Sequence, residues 1–293
     1  MHPTLRVVGL FILLAGIFAL IGWAIGGYLV GGNWILGAVL FLILAAIFNV
    51  ICYFFSSKII LRSYRAKILE ENEYPWLHDM VAEIAGKAGV PKPKVAIIPA
   101  KAPNAFATGR NPKNAVVAVT EGIMDVLSRT ELEGVLAHEM AHVKDRDILV
   151  MTVAATMAGA IAFMARIFWF NAIFGGRGGR GGEGSWIILL IVAITAPIAA
   201  LLVQLAISRS REYKADRVGA LTINKPLALA SALDKLERSN KKRPIERGNP
   251  ASSSLFIVNP FRGSGFAAIF STHPPMKKRI RKLEQLAREI KES

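Results

Sequence analysis

The chain has 293 residues, 53% of them hydrophobic and 19% charged, with a mean hydropathy of +0.41. Soluble globular chains carry about 25% charged residues, so a simple soluble protein is excluded. Lys and Arg number 36 against 21 Asp and Glu, giving a net charge of +15; without a zinc knuckle, an RNA-binding signature or a basic helix with heptads, this excess points to anionic lipid and away from nucleic acid.

From the N-terminus, Val7 to Val30 and Trp34 to Phe55 are uncharged apolar stretches, each meeting the roughly 20 residues a membrane-crossing helix needs. Only Gly31, Gly32 and Asn33 separate them, which predicts a tight helical hairpin. The first stretch is too long for a signal-peptide core and is not followed by an A-x-A-like site, so it reads as a retained anchor. Cys52, the single cysteine, lies inside the second stretch and excludes both a disulfide framework and a Cys-built metal site within one chain.

The next segment, 58–147, reads as soluble. Tyr74 to Lys87 has helical periodicity stopped by Gly89 and Pro91. Val95 to Pro99 and Ala115 to Val119 read as strands, and Asn104 to Arg110 between them as an edge strand or a loop. A helix is expected from Thr130, with Glu133 completing a capping box. Two further apolar stretches, Ile148 to Phe174 and Trp186 to Ile207, predict a second hairpin across a glycine-rich linker, Gly175 to Gly184. A second soluble part, 208–293, ends in a basic helix from Met276 to Ile290.

The expected architecture is a mainly α integral membrane protein with four transmembrane helices and an α+β domain containing a small β-sheet. It divides into an N-terminal transmembrane hairpin (1–57), the first half of the soluble domain (58–147), a second hairpin (148–207) and the second half (208–293). Arg6, Lys58, Arg62, Arg65, Lys67, Lys144, Arg146, Arg209, Arg211, Lys214 and Arg217 flank one side of the spans, against Arg177 and Arg180 on the other. Cytoplasmic flanks carry the excess of Lys and Arg, so both termini and the soluble mass are expected in the cytoplasm, on a multi-pass protein of the cell membrane.

The chemistry lies in His138-Glu139-Met140-Ala141-His142, an HExxH motif. Residues four apart share one helix face, so both imidazoles can reach one Zn²⁺, with Glu139 beside it to take a proton from water. Chance at this composition produces such a motif in roughly 0.4% of chains, which disfavours two unrelated surface histidines. Catalytic zinc takes three protein ligands. The extended HExxHxxGxxH pattern is excluded, because Asp145 and Ile148 stand where its glycine and third histidine belong. The other histidines are His2, His78 and His273, while Glu212 and Asp216 form an i, i+4 acidic pair. His142 lies roughly 9 Å before the third span and Glu212 roughly 8 Å after the fourth, if both segments are helical. Antiparallel spans would bring them to one height. His138, His142 and Glu212 are therefore the expected ligands of one zinc per chain, with Asp216 orienting a ligand histidine.

HEMAH before one span, SRSREYKAD after the next, NAFATG upstream and STHPP near the C-terminus together resemble the HtpX family of membrane zinc metalloproteases, relatives of the CAAX prenyl proteases. The resemblance covers nearly the whole chain. It implies a gluzincin-like fold, His138, His142 and Glu212 as zinc ligands, and Glu139 as catalytic base. It further implies a stress-response role in quality control, with misfolded or damaged membrane proteins as substrates. Asn104 falls at a substrate-binding edge strand, and Arg209 and His273 near the site as possible substrate or transition-state contacts. The rival readings are a CAAX-type prenyl protease and a zinc-binding membrane scaffold without proteolysis.

Overall fold

A computed structural model describes residues 3–29, 31, 33–174, 209–242, 254–259 and 274–292. The expected fourth span, Trp186 to Ile207, the glycine-rich linker before it and His273 lie outside them.

Helices α1 (Pro3–Leu29) and α2 (Trp34–Ser63) form the N-terminal hairpin. Asn33 caps α2 by accepting from the Leu36 N–H at 2.9 Å, and Asn49 Nδ2 donates to the Phe11 carbonyl across the hairpin at 3.3 Å. Ile12, Leu20, Ile35 and Ile47 are exposed, leaving an apolar surface suited to lipid. Helix α2 continues past the predicted end at Phe55, through Lys58 and Arg62.

Strands β1 (Lys67–Ile68), β2 (Lys94–Ile98), β3 (Ala105–Thr108) and β4 (Val116–Thr120) make one sheet in the order β1-β2-β4-β3. The β2 and β4 strands run parallel, and both edges are antiparallel. Alternate residues bury on opposite faces, as the two-residue strand period requires. Val95, Ile97, Val117 and Val119 face a core with helix α3 (Pro75–Ala88), whereas Ala96, Ile98, Val116 and Ala118 face a second core. Burial on both faces explains why these strands read as unbroken apolar runs. The ambiguous Asn104 to Arg110 segment is resolved as an edge strand.

After α4 (Glu121–Val126) comes the central helix α5 (Arg129–Lys144), buried from Glu131 to Val143. Its capping box is Ser128 with Glu131, correcting the expected Thr130 with Glu133. Ser128 has the extended backbone an N-cap needs, and Glu131 returns Oε2 to its N–H at 2.8 Å. Glu133 instead receives Lys225 Nζ at 2.6 Å.

Helix α6 (Asp147–Phe174) leaves α5 at a 91° bend. Four spans were expected. Among the described residues two helices, α1 and α2, are long and apolar enough to cross a membrane, or three if the bent pair of α5 and α6 is one span. The first turns of α6 pack Val150, Val153 and Met157 against Leu10 and Leu14 of α1, Cys52 of α2 and Phe106 of β3 in a single cluster.

Helices α7 (Arg209–Ile223), α8 (Pro226–Lys242) and α9 (Met276–Glu292) complete the first core, the one that contains α3. Two glycines set how closely α5 is approached. A Cβ on Gly219 of α7 would stand 2.7 Å from the His138 backbone nitrogen, and one on Gly134 of α5 would stand 2.9 Å from the Leu229 nitrogen of α8. Helix α7 can thus touch the backbone of α5 beside the first histidine. Gly219→Ala is predicted to force the two helices apart and to destabilise the fold by about 1–3 kcal/mol, the usual cost of overpacking. Thermal unfolding checks the loss, and competition with a chromogenic chelator checks an accompanying fall in zinc affinity.

Candidate metal centre

Helix α5 presents His138 and His142 one turn apart, and α7 crosses it to bring Glu212 between their rings. His138 Nε2 lies 3.9 Å from Glu212 Oε2, and His142 Nε2 lies 3.3 Å from Glu212 Oε1. One ligand atom from each of the three residues falls within 4.8 Å of the others. Tetrahedral zinc, with bonds of about 2.0–2.2 Å, holds its ligands about 3.4 Å apart. Two imidazoles and one carboxylate at this spacing, all under 4% exposed, fit a divalent cation.

The outer atoms of the triad are held as well. His138 Nδ1 is 2.9 Å from Asp216 Oδ1, which fixes the tautomer that leaves Nε2 facing Glu212. Arg279 of α9 grips Asp216 with both arms of its guanidinium, Nε at 2.8 Å and Nη2 at 2.7 Å. Its Nη1 lies 3.7 Å from Glu212 Oε2. His142 Nδ1 stands 3.7 Å from Asp147 Oδ2, beyond hydrogen-bond reach, while Asp147 Oδ1 accepts from Arg211 Nη1 at 2.6 Å. Glu139 points from the same helix toward β3, where its Oε2 accepts the Ala107 N–H at 2.8 Å.

As protein groups these side chains perturb one another strongly. Burial pushes the Glu139 carboxyl up to about 8. Burial alone would lower His142, but Asp147 and Glu212 outweigh it and push the imidazole up to about 10. Burial also lowers His138, with Arg279 acting in the same direction against Asp216. For Asp216 burial acts upward, and the Arg279 guanidinium overcomes it, holding the carboxyl down at about 2.

The structure therefore brings His138, His142, Glu212, Glu139 and Asp216 into one buried cluster. Arg209 opens α7 with an exposed side chain outside that cluster. Asn104 is buried with its amide turned to Val258. His78 is buried on α3, 3.6 Å from Glu71, and His2 lies outside the described residues. Arg279 and Asp147 complete the cluster and escaped the sequence reading. The signal for Arg279 was its spacing: with Leu283 and Leu286 it shares the i, i+4, i+7 face that the amphipathic helix buries.

The sequence profile of Peptidase family M48 matches residues 71–287, which include every residue of the buried cluster. The chain belongs to peptidase family M48. A protease HtpX homolog of Thermococcus sibiricus is 51% identical over 265 residues, 89% of this chain and 90% of that protein. Another from Methanocaldococcus jannaschii is 53% identical over 251 residues, covering 85% and 88%. One from Persephonella marina is 49% identical over 293 residues, covering 99% of each. The crystal structure of S. mikatae Ste24p aligns with a TM-score of 0.49 at 19% identity, over 94% of this chain and 67% of that one. This M48 protein is a membrane zinc metalloprotease whose metal site is His138, His142 and Glu212.

Arg279→Met leaves the Asp216 and Glu212 carboxylates buried without their cation and is expected to cost about 3–5 kcal/mol in chemical denaturation. In zinc-stripped protein, Glu139 (ordinarily 4.5, here about 8) and His142 (ordinarily 6.5, here about 10) hold protons that the unfolded chain releases. Both contributions to stability are full below the lower value and are lost as pH rises through the upper one. The Tm of the stripped protein should fall between about pH 6 and pH 9, whereas that of the zinc-loaded protein, where metal takes the place of protons, should change less.

Proposed function

We propose that this M48 metalloprotease is an endopeptidase that cleaves misfolded or damaged membrane proteins at the cytoplasmic face of the cell membrane, in quality control. The observation that carries the reaction is the placement of Glu139. Its Oε2 is pinned by the Ala107 N–H, which leaves Oε1 to take the proton of the attacking water and pass it to the leaving amine. Burial raises the proton affinity of this carboxyl in the metal-free protein, and a bound cation beside it would favour the ionised form that accepts the proton. The Zn²⁺ held by His138, His142 and Glu212 supplies, when bound, a Lewis acid for the scissile carbonyl and for water. Asp216 keeps the His138 ring in its ligating orientation. Arg209 and His273 are proposed substrate or transition-state contacts on the resemblance alone, and Asn104 acts at the β3 edge.

The position of β3 supports this substrate class. Thr108 at its end shares a 3.0 Å hydrogen bond with Thr152 of α6, and Arg110 just beyond stands 5.8 Å over the Phe54 ring of the α2 span. An edge strand at this height favours juxtamembrane segments. The basic flanks of the spans support cytoplasmic orientation, and the exposed Lys277, Lys278, Arg281 and Lys282 of α9 favour anionic lipid. On this reading the hairpin 1–57 anchors the chain, and the second hairpin 148–207 interrupts a protease domain made of 58–147 and 208–293.

The test is cleavage of an unfolded protein by detergent-purified enzyme, comparing wild type with Glu139→Gln after zinc is measured in both. Glu139→Gln is expected to keep its zinc and lose activity by at least the 10²–10⁴-fold typical of a missing acid-base group. No activity in the wild type would favour the scaffold reading, and equal activity in the two proteins a different catalytic site; cleavage confined to prenylated C-terminal peptides would favour the prenyl protease.

A further inference from the structure

Within the described residues, the outward edge of β3 already has an occupant. The six residues 254–259, between α8 and α9, run past it and are tied down through their main chain. Ile257 donates its N–H to the Ala105 carbonyl at 3.2 Å. Asn104 donates Nδ2 to the Val258 carbonyl at 2.6 Å, and its Oδ1 accepts the Val258 N–H at 3.4 Å. Arg279 Nη1 donates to the Ile257 carbonyl at 3.1 Å. None of these bonds depends on which side chains positions 257 and 258 carry. The segment turns and bends as it passes, and its one main-chain bond to β3 takes the outward Ala105 carbonyl that an extended peptide added to this edge would use.

The place is close to the chemistry. The Arg279 nitrogen that holds the Ile257 carbonyl also stands 3.7 Å from Glu212 Oε2, and the next outward N–H of β3, that of Ala107, is bonded to Glu139. Phe256 anchors the segment, fully buried with its ring 5.1 Å from that of Phe106 and 5.0 Å from that of Tyr64. Tyr64 is the C-cap of α2, so the anchor joins the segment to the end of a membrane helix. Leu255, Phe256, Ile257 and Val258 are also the apolar, β-favouring residues that an unfolded membrane protein would offer.

We propose that residues 254–259 are an internal occupant of the substrate track. The segment lies where the main chain of an extended substrate adds to β3, so it must leave before a substrate is cleaved. This rests on the reading of β3 as the substrate edge. The arrangement makes the resting enzyme latent: apparent substrate affinity is reduced by the fraction of molecules in which the edge is open. Release is coupled to α2 through the packing of Phe256 on Tyr64.

Hydrogen exchange on the full-length, zinc-loaded protein in detergent tests the proposal without relying on turnover. The amides of Ile257 and Val258 should be protected in the free enzyme. Saturation with a peptide hydroxamate whose extended tail needs the β3 edge should speed their exchange at least ten-fold. Ile257→Pro, which deletes the N–H accepted by Ala105, should raise kcat/KM on an unfolded protein by about five-fold, the worth of one backbone hydrogen bond. Unchanged or slower exchange with the hydroxamate bound, or a kcat/KM that falls in Ile257→Pro, would make the segment a fixed wall of the cleft and overturn the proposal. Absence of cleavage by both zinc-loaded proteins counts against the protease reading instead, and the exchange of the wild type still decides the occupant.

Discussion

Burial of charge where α5 and α7 cross is the constraint on which the rest of the structure depends. His138, His142, Glu212, Asp216 and Arg279 are all almost wholly removed from solvent, and each isolated ion would cost several kcal/mol there. Only mutual pairing offsets that cost. Arg279 neutralises Asp216 and approaches Glu212, Asp216 fixes the far side of His138, and the two imidazoles face the remaining carboxylate. The pairing also sets geometry, because it joins three helices drawn from distant parts of the chain in a single register.

Close backbone contact makes that register possible. Gly219 lets α7 rest directly on the backbone of α5 at His138, and Gly134 lets α8 do so one turn earlier along the same helix. Helix α5 is therefore enclosed, which dries the site and strengthens every electrostatic interaction in it. The sheet then contributes an edge and little else to the chemistry: the outward N–H of Ala107 fixes Glu139, and the outward carbonyl of Ala105 is bonded to Ile257.

The membrane helices belong to the same construction. Leu10, Leu14 and Cys52 of the N-terminal hairpin, the first turns of α6, and Phe106 and Phe256 beside the site share one apolar cluster. Asp147 opens α6 just past the 91° bend, and its salt bridge to Arg211 ties that bend to α7 within a turn of Glu212. The spans are thus connected to the metal centre through packed side chains and an ion pair.

Elements governed by local periodicity were legible in the sequence. The two-stretch hairpin, the helix of α3, strands β2 and β4 and the HExxH helix all follow from hydrophobic spacing over one element, and the three metal ligands follow from spacing together with the order of the spans. Even there, the choice between two capping boxes two residues apart went to Ser128, because backbone conformation decides which hydroxyl can reach back. What the sequence could not contain was which charge meets which across tens of residues. Arg279 reads in one dimension as one more cation on a basic helix, and Asn104 as a polar residue beside a strand. Only the folded chain places Arg279 against Asp216 and turns Asn104 to Val258, because burial penalties are resolved by partners brought together in space and not by neighbours along the chain.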